Sequence, residues 1–201
     1  MLKKIRIFLA AICFIAISAL FLDFTSTALQ HWGWLAKLQF MPAVLSFNVV
    51  ALVLLIAVSL IFGRVYCSVL CPLGILQDFI SWIHDLFGGK RRFRYTQPLT
   101  WVRIGVLALF VVLVVFGLMR IASFIEPYSE FGRIMNSLVK PLYVDANNAI
   151  ADRQPEDAYT FYRVENYISA AMIIVASVTL LVVGLMAWFG GRIYCNSVCP
   201  V

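Results

Sequence analysis

The sequence contains little charge for its length. Of its 201 residues only 13% are charged, whereas 63% are hydrophobic. Soluble domains carry about 25% charged and roughly 45–50% apolar residues. The polar side chains are therefore too few to cover an apolar core in water, which excludes an ordinary soluble domain.

Four apolar runs approach or exceed the roughly 20 residues that span a bilayer, at residues 5–22, 43–62, 102–121 and 167–189. The basic segment LKKIR before the first run is typical of a signal peptide, but no clear small-residue cleavage site follows, so we predict an uncleaved helix. The runs also contain few ionisable residues, and this absence argues against a transporter pathway.

These runs predict an all-α integral membrane protein with four transmembrane helices. We expect one transmembrane domain, residues 1–201, built from two helical hairpins as parallel repeats, about 1–90 and about 98–201. The segment PLGILQDFISWIHDLF after the second run has an apolar stripe opposite Gln77, Ser81 and His84. It predicts an amphipathic helix in the membrane interface, with these polar side chains in water.

The distribution of charge predicts the orientation. With four spans, ten of the sixteen cations share the side of the two termini, four of them in the segment GGKRRFR, together with two of the ten acids. Short cytoplasmic loops are rich in Lys and Arg. We therefore predict a multi-pass protein of the bacterial inner membrane, with both termini cytoplasmic and residues 122–166 outside. The membrane topology and a lipid bilayer with anionic headgroups as partner explain the positive charge, so no nucleic acid partner is implied.

One cysteine-bearing phrase occurs twice, as FGRVYCSVLCP ending at Pro72 and as FGGRIYCNSVCP ending at Pro200. Both copies contain C-x3-C-P, and their first cysteines are 128 residues apart. The topology places both copies on the cytoplasmic side and leaves the outer loops without cysteine. Since the cytosol keeps thiols reduced, a disulfide framework is not expected.

The duplicated cysteines are the predicted metal ligands: Cys67, Cys71, Cys195 and Cys199. A spacing of four places both cysteines of a copy on one face of a helix. Soft thiolates favour iron–sulfur clusters or zinc, and C-x3-C-P is also the end of a ferredoxin cysteine run. A four-thiolate cluster needs two cysteines from each copy, so we predict one shared site. Cys13 lies at another depth and is predicted to be a small core residue.

Basic and aromatic residues accompany each copy. Arg64 and Arg192 stand three residues before the first cysteine, where a guanidinium can stabilise thiolates or an anionic cluster, and we predict both as cofactor-binding residues. Snorkelling to the membrane surface accounts for the same positions. Tyr66 and Tyr194 are expected in the interfacial aromatic belt.

The frame FGR-x-YC-x3-CP, with the later phrase EPYSEFGR, resembles the NapH/NosR group of bacterial membrane iron–sulfur proteins of the 4Fe–4S ferredoxin type. The resemblance implies a membrane-bound electron-transfer component carrying a [4Fe–4S] cluster, linked to quinol oxidation, with a ferredoxin or other redox protein as partner. It leaves open a quinone as a second cofactor and a role as a quinol dehydrogenase component. In that group a cytoplasmic ferredoxin-type domain usually follows. No C-x2-C-x2-C-x3-C run occurs here, so we expect that domain to be missing or to be a separate subunit.

Two other functions remain open from the residues. The same cysteines would serve a metal-handling or oxidase-assembly membrane protein that binds zinc or copper. A thiol–disulfide relay is disfavoured, because the spacing is not C-x-x-C and no outer cysteine could receive electrons. Electron donor, acceptor and direction of flow are not determined by the sequence.

Overall fold

The computed structural model describes residues 2–23, 27–37, 50, 53, 57, 66–87, 100–153, 163–165, 167–197 and 199. Every regular element in these ranges is helical. The all-α prediction is thereby confirmed. Almost all of the second apolar run, residues 43–62, lies outside the described residues, as does Arg64.

Nine α-helices and two π-helical turns are present in the described ranges. The helices are α1 Leu2–Leu22, α2 Thr27–Lys37, α3 Pro72–Leu86, α4 Thr100–Val115, α5 Met119–Ala122, α6 Pro127–Ile134, α7 Lys140–Ala151, α8 Ala170–Gly190 and α9 Ile193–Ser197. The π-helical turns are Tyr66–Leu70 and Met135–Val139.

Two of these helices are long and apolar enough to cross a membrane. They are α1, over Lys4–Leu22, and α8, each with mean hydropathy 2.6. These are the first and last of the four predicted spans. The arrangement as two repeated hairpins stays a prediction.

The third predicted span, residues 102–121, is interrupted. Its helix α4 ends at Val115, and Gly117 has φ of 72°, a conformation that glycine adopts without steric cost. The N–H of Leu118 donates to the carbonyl of Leu113, five residues earlier, at 2.8 Å. This is the hydrogen bond of a Schellman motif, in which a helix ends at a glycine. Because the chain turns here, the apolar helix has 16 residues and α5 is a separate turn.

The core forms where α1, α3, α6 and α8 meet. Ile17 of α1, Phe131 of α6 and Val183 of α8 belong to one buried cluster, and each is at most 1% exposed. The ring of Phe14 meets that of Phe131 edge-on at 5.4 Å. Helix α6 is therefore held against α1 by aromatic packing and against α8 by aliphatic packing.

The described surface is more apolar than that of a soluble protein, and some polar side chains lie within the apolar interior. Large apolar side chains of α1, α4 and α8 are exposed, among them Phe8, Trp101 and Ile174. Polar side chains are buried instead, including Gln77, Glu126 and Glu130. Buried polar groups need partners in the interior, whereas exposed apolar groups on this scale need a nonaqueous surrounding.

Part of the segment predicted to lie outside does not stand apart from the cysteine copies. Phe131 and Ile134 of α6 share a buried cluster with Cys71, Cys199 and Tyr194. α6 and the π-helical turn that follows it therefore pack beside the cysteine copies, whereas the side of the membrane on which residues 122–166 lie stays a prediction. Aromatic packing and a buried hydrogen bond, described below, hold this part against the cysteines.

Close packing of α6 on α1 depends on Gly132. A Cβ atom at this position would lie 2.8 Å from the ring of Phe21, closer than packed carbon atoms approach. We expect Gly132→Ala to destabilise the detergent-solubilised protein by about 1–3 kcal/mol, as overpacked cores do. Thermal unfolding measures this. Gly105→Ala is the matched control, since nothing lies within 4 Å of its Cβ position. Equal stability of the two variants would contradict the packing described here.

Candidate metal centre

The first cysteine copy is a wide turn followed by a helix start. Cys67 lies in the π-helical turn Tyr66–Leu70, and Cys71 is the extended N-cap residue of α3, with φ −80° and ψ 113°. Pro72 occupies the first turn of α3, where its missing N–H leaves no hydrogen bond unmade. The two cysteines are therefore not on one face of a continuous helix, and that expectation is wrong.

The second copy has a related backbone course. Cys195 lies within the short helix α9, and Cys199 follows its end. The N–H of Cys199 donates to the carbonyl of Tyr194, five residues earlier, at 3.1 Å. This spacing is that of a π-helical turn, as in the first copy. In both copies the first cysteine is inside a helical turn and the second is just beyond it.

All four cysteines of the two copies come together. Cys71 and Cys199 are buried in the same core cluster, with Cys67 packed against it. The charge of Cys71 interacts with those of Cys195, Cys199 and Cys67, so thiols 128 residues apart in sequence are within electrostatic range. The predicted ligands are thus neighbours in the fold.

The cysteines are not gathered around a single ion. In the described ranges no three His, Cys, Asp or Glu side chains are placed to hold one metal ion. The thiols nonetheless interact electrostatically. The four cysteines of a [4Fe–4S] cluster bind separate iron atoms, so their sulfurs stand farther apart than ligands of one ion.

Burial and mutual repulsion favour the protonated thiols. Burial raises the pKa of Cys71 well above its usual value, and the charges of Cys195 and Cys199 raise it further. Burial and the charge of Cys67 raise the pKa of Cys195 to about 11, against the opposing effect of Arg192. Thiolates in this place therefore need positive charge or hydrogen bonds to offset desolvation.

Arg192 supplies positive charge beside the thiols. Its guanidinium forms a two-pronged ion pair with Asp78 of α3, with Nε 2.5 Å from Oδ1. The same guanidinium lies within electrostatic range of Cys195 and Cys67. The structure thus places Arg192 beside two of the predicted ligands, and pairing with Asp78 fixes its direction, while its role in binding a cofactor stays a prediction.

Helix α3 directs its polar face inward, which is the reverse of the predicted orientation. Gln77 is fully buried, and its amide Nε2 donates to Sγ of Cys195 at 3.3 Å. Ser81 donates to the carbonyl of Ala187 in α8 at 3.2 Å. The ring of His84 meets that of Trp188 edge-on at 4.8 Å, so His84 is not a solvated surface residue. The large apolar side chains on the opposite face, Phe79, Trp82 and Leu86, are exposed.

Tyr194 links the second copy to α6. It is 5% exposed rather than part of an interfacial belt, and its hydroxyl donates to Oε2 of Glu130 at 2.7 Å. Burial raises the pKa of Glu130, and its hydrogen bond with Tyr194 and the charge of Arg133 oppose that rise. Neither Gln77 nor Glu130 was identified from the sequence, because no spacing connects them to the cysteines.

A sequence-family model described as a 4Fe-4S binding domain matches residues 45–94 and 169–201. Both cysteine copies fall within the matched ranges. No curated protein and no solved structure matches the chain. The match supports an iron–sulfur cluster of the 4Fe–4S type as the cofactor, and the four neighbouring thiols, two buried and two half-buried, have the donor chemistry for it.

The path of the first copy depends on Gly74. A Cβ atom there would overlap the backbone carbonyl oxygen of Cys67, which cannot rotate away as a side chain can. We expect Gly74→Ala to displace the copy and to lose most of the bound iron and sulfide, measured per chain after anaerobic purification. Gly184→Ala is the control, since its nearest neighbour is the tip of Ile80 at 4.0 Å. Full iron content in Gly74→Ala would contradict this role.

Proposed function

We propose that the protein is a membrane-bound electron-transfer component whose iron–sulfur centre is shared between its two cysteine copies. The observation that carries this proposal is the convergence of Cys67, Cys71, Cys195 and Cys199 at one place, where Cys71 and Cys199 are buried and the other two are half-buried. Each copy supplies two thiolates, and four is the usual ligand number of such a cluster. The match to a 4Fe-4S binding domain favours this function over zinc or copper handling.

The residues around the thiols fit a group that gains and loses one electron. When bound, an iron–sulfur cluster supplies reversible one-electron transfer, and its potential depends on charge, burial and hydrogen bonds to sulfur. Arg192 contributes positive charge, and Gln77 contributes an N–H donor to Cys195. Both favour additional negative charge at the centre and therefore stabilise the reduced state.

A bilayer location is supported by the distribution of polarity. Helix α3 presents Phe79 and Trp82 outward and Gln77 inward, as a helix in contact with lipid does. The long helices α1 and α8 are apolar over a length that spans a membrane. We propose four spans with both termini cytoplasmic, the orientation that the cation distribution favours.

The electron partners belong to the same proposal. We propose a ferredoxin-like or other redox protein on the cytoplasmic side and a quinol or quinone in the bilayer. Support comes from the family resemblance of the phrase FGR-x-YC-x3-CP and from the cation excess on the cysteine side. A basic surface of this kind attracts an acidic redox partner.

Removing one cysteine from either copy tests the shared centre. We expect Cys67→Ser and Cys195→Ser each to abolish or alter the entire electron paramagnetic resonance signal, because both copies bind the same group. Cys13→Ser, which changes a cysteine of α1 outside the copies, should keep the iron content and the signal. If each copy variant instead retains about half of the iron with an unchanged signal, the copies bind separate groups.

The hydrogen bond from Gln77 to Cys195 predicts a change in reduction potential. Gln77→Leu removes an N–H donor that stabilises the more negative reduced state, so the midpoint potential should fall by up to about 60 mV. This estimate takes a hydrogen bond of about 0.5–1.5 kcal/mol and 59 mV per tenfold change for one electron. Redox titration measures it, with exposed Gln30→Leu as control. An unchanged or higher potential in Gln77→Leu with full iron content would contradict the role of this bond.

A further inference from the structure

The buried carboxylate of Glu130 accepts a hydrogen bond from a residue of the second cysteine copy. Glu130 is 7% exposed and accepts a hydrogen bond from Tyr194, the residue directly before Cys195. The Tyr194 side chain is within electrostatic range of Cys199 and Cys195. The cysteine site and Glu130 are therefore connected through a single buried side chain.

Few charges compensate Glu130 in this place. Arg133 and Glu126 of the same segment are within electrostatic range of it, and Arg133 also donates to the carbonyl of Ser123 at 3.0 Å. Helix α8, which packs on α6, has no ionisable side chain. On α3, Asp78 pairs with Arg192, while His84 contacts Trp188 and Asp85. Tyr128 of α6 packs on Phe21.

We propose that Glu130 takes up a proton when an electron enters the thiolate-bound centre and releases it when the electron leaves. This inference rests on the proposed function. A one-electron reductant supplies the electron and water supplies the proton, which forms the O–H bond of the Glu130 carboxyl group. Reoxidation by a one-electron acceptor returns both, so charge and atoms balance.

The physical reason is the effect of one charge on another in a medium of low polarity. Burial already favours the protonated form of Glu130, and an electron added at the thiols, with Tyr194 between them and Glu130, favours it further. Such coupling is reciprocal, so protonation of Glu130 must also make reduction more favourable. Tyr194 acts as the hydrogen-bond donor and keeps its own proton, because burial and the Glu130 charge raise its pKa.

Redox titration of the intact, cluster-containing protein across pH tests the proposal. The midpoint potential should fall as pH rises, by up to about 59 mV per pH unit. This slope should appear in a pH range above the usual carboxyl pKa. Glu130→Gln should remove the slope. Glu165→Gln, a change at an exposed glutamate, should retain it. A slope that persists in Glu130→Gln, or that disappears in Glu126→Gln and not in Glu130→Gln, overturns the assignment.

A second measurement covers the case in which Glu130→Gln does not assemble the centre. The reduced-minus-oxidised infrared spectrum of the unsubstituted protein should contain a new protonated-carboxyl band, and Glu130→Asp should shift it. Absence of that band overturns the inference. Iron and sulfide are measured on the same sample. Full content of both with a pH-independent potential contradicts this inference alone. A protein without iron contradicts both the proposed function and this inference.

Discussion

The mutual repulsion of four neighbouring thiols, two of them buried and two half-buried, is the constraint on which the surrounding structure depends. Each negative charge at Cys71 or Cys195 opposes the ionisation of the others, and burial adds to the cost. A chain that brings such groups together must offset that cost with cations, hydrogen bonds or a bound metal centre. Arg192 and Gln77 provide the first two, and the iron of the supported cofactor provides the third.

The polar interior follows from the same constraint. Asp78 fixes Arg192 through an ion pair, Gln77 is directed at Cys195, and Tyr194 is anchored on Glu130. Gln77, Glu130 and Tyr194 are buried, Asp78 and Arg192 are partly exposed, and the apolar side chains of Phe79 and Trp82 on α3 face outward. Contact with lipid makes such an arrangement favourable, because the polar side chains then meet one another inside and the outward apolar side chains avoid water. The polar contacts around the cysteines and a location of the protein in a bilayer are therefore consistent with each other.

The duplicated phrase was the most informative part of the sequence, because identical spacing predicts equivalent environments. It predicted the meeting of the cysteines and the place of Arg192 beside them. Periodicity also divided α3 correctly into a polar and an apolar face. It could not say which face is inward, since that depends on whether the surroundings are water or lipid, and Gln77 was therefore assigned to the wrong side. Glu130 was missed because its contact with Tyr194 joins residues 64 apart.

Native mass spectrometry of the anaerobically purified protein, released intact from detergent, tests the central claim most directly. The account predicts a mass equal to one polypeptide chain with a single [4Fe–4S] cluster. Alkylation of the protein before and after removal of iron would show all four motif cysteines protected together. Two clusters on one chain, or a cluster that protects the cysteines of only one copy, would contradict a centre shared between the two halves.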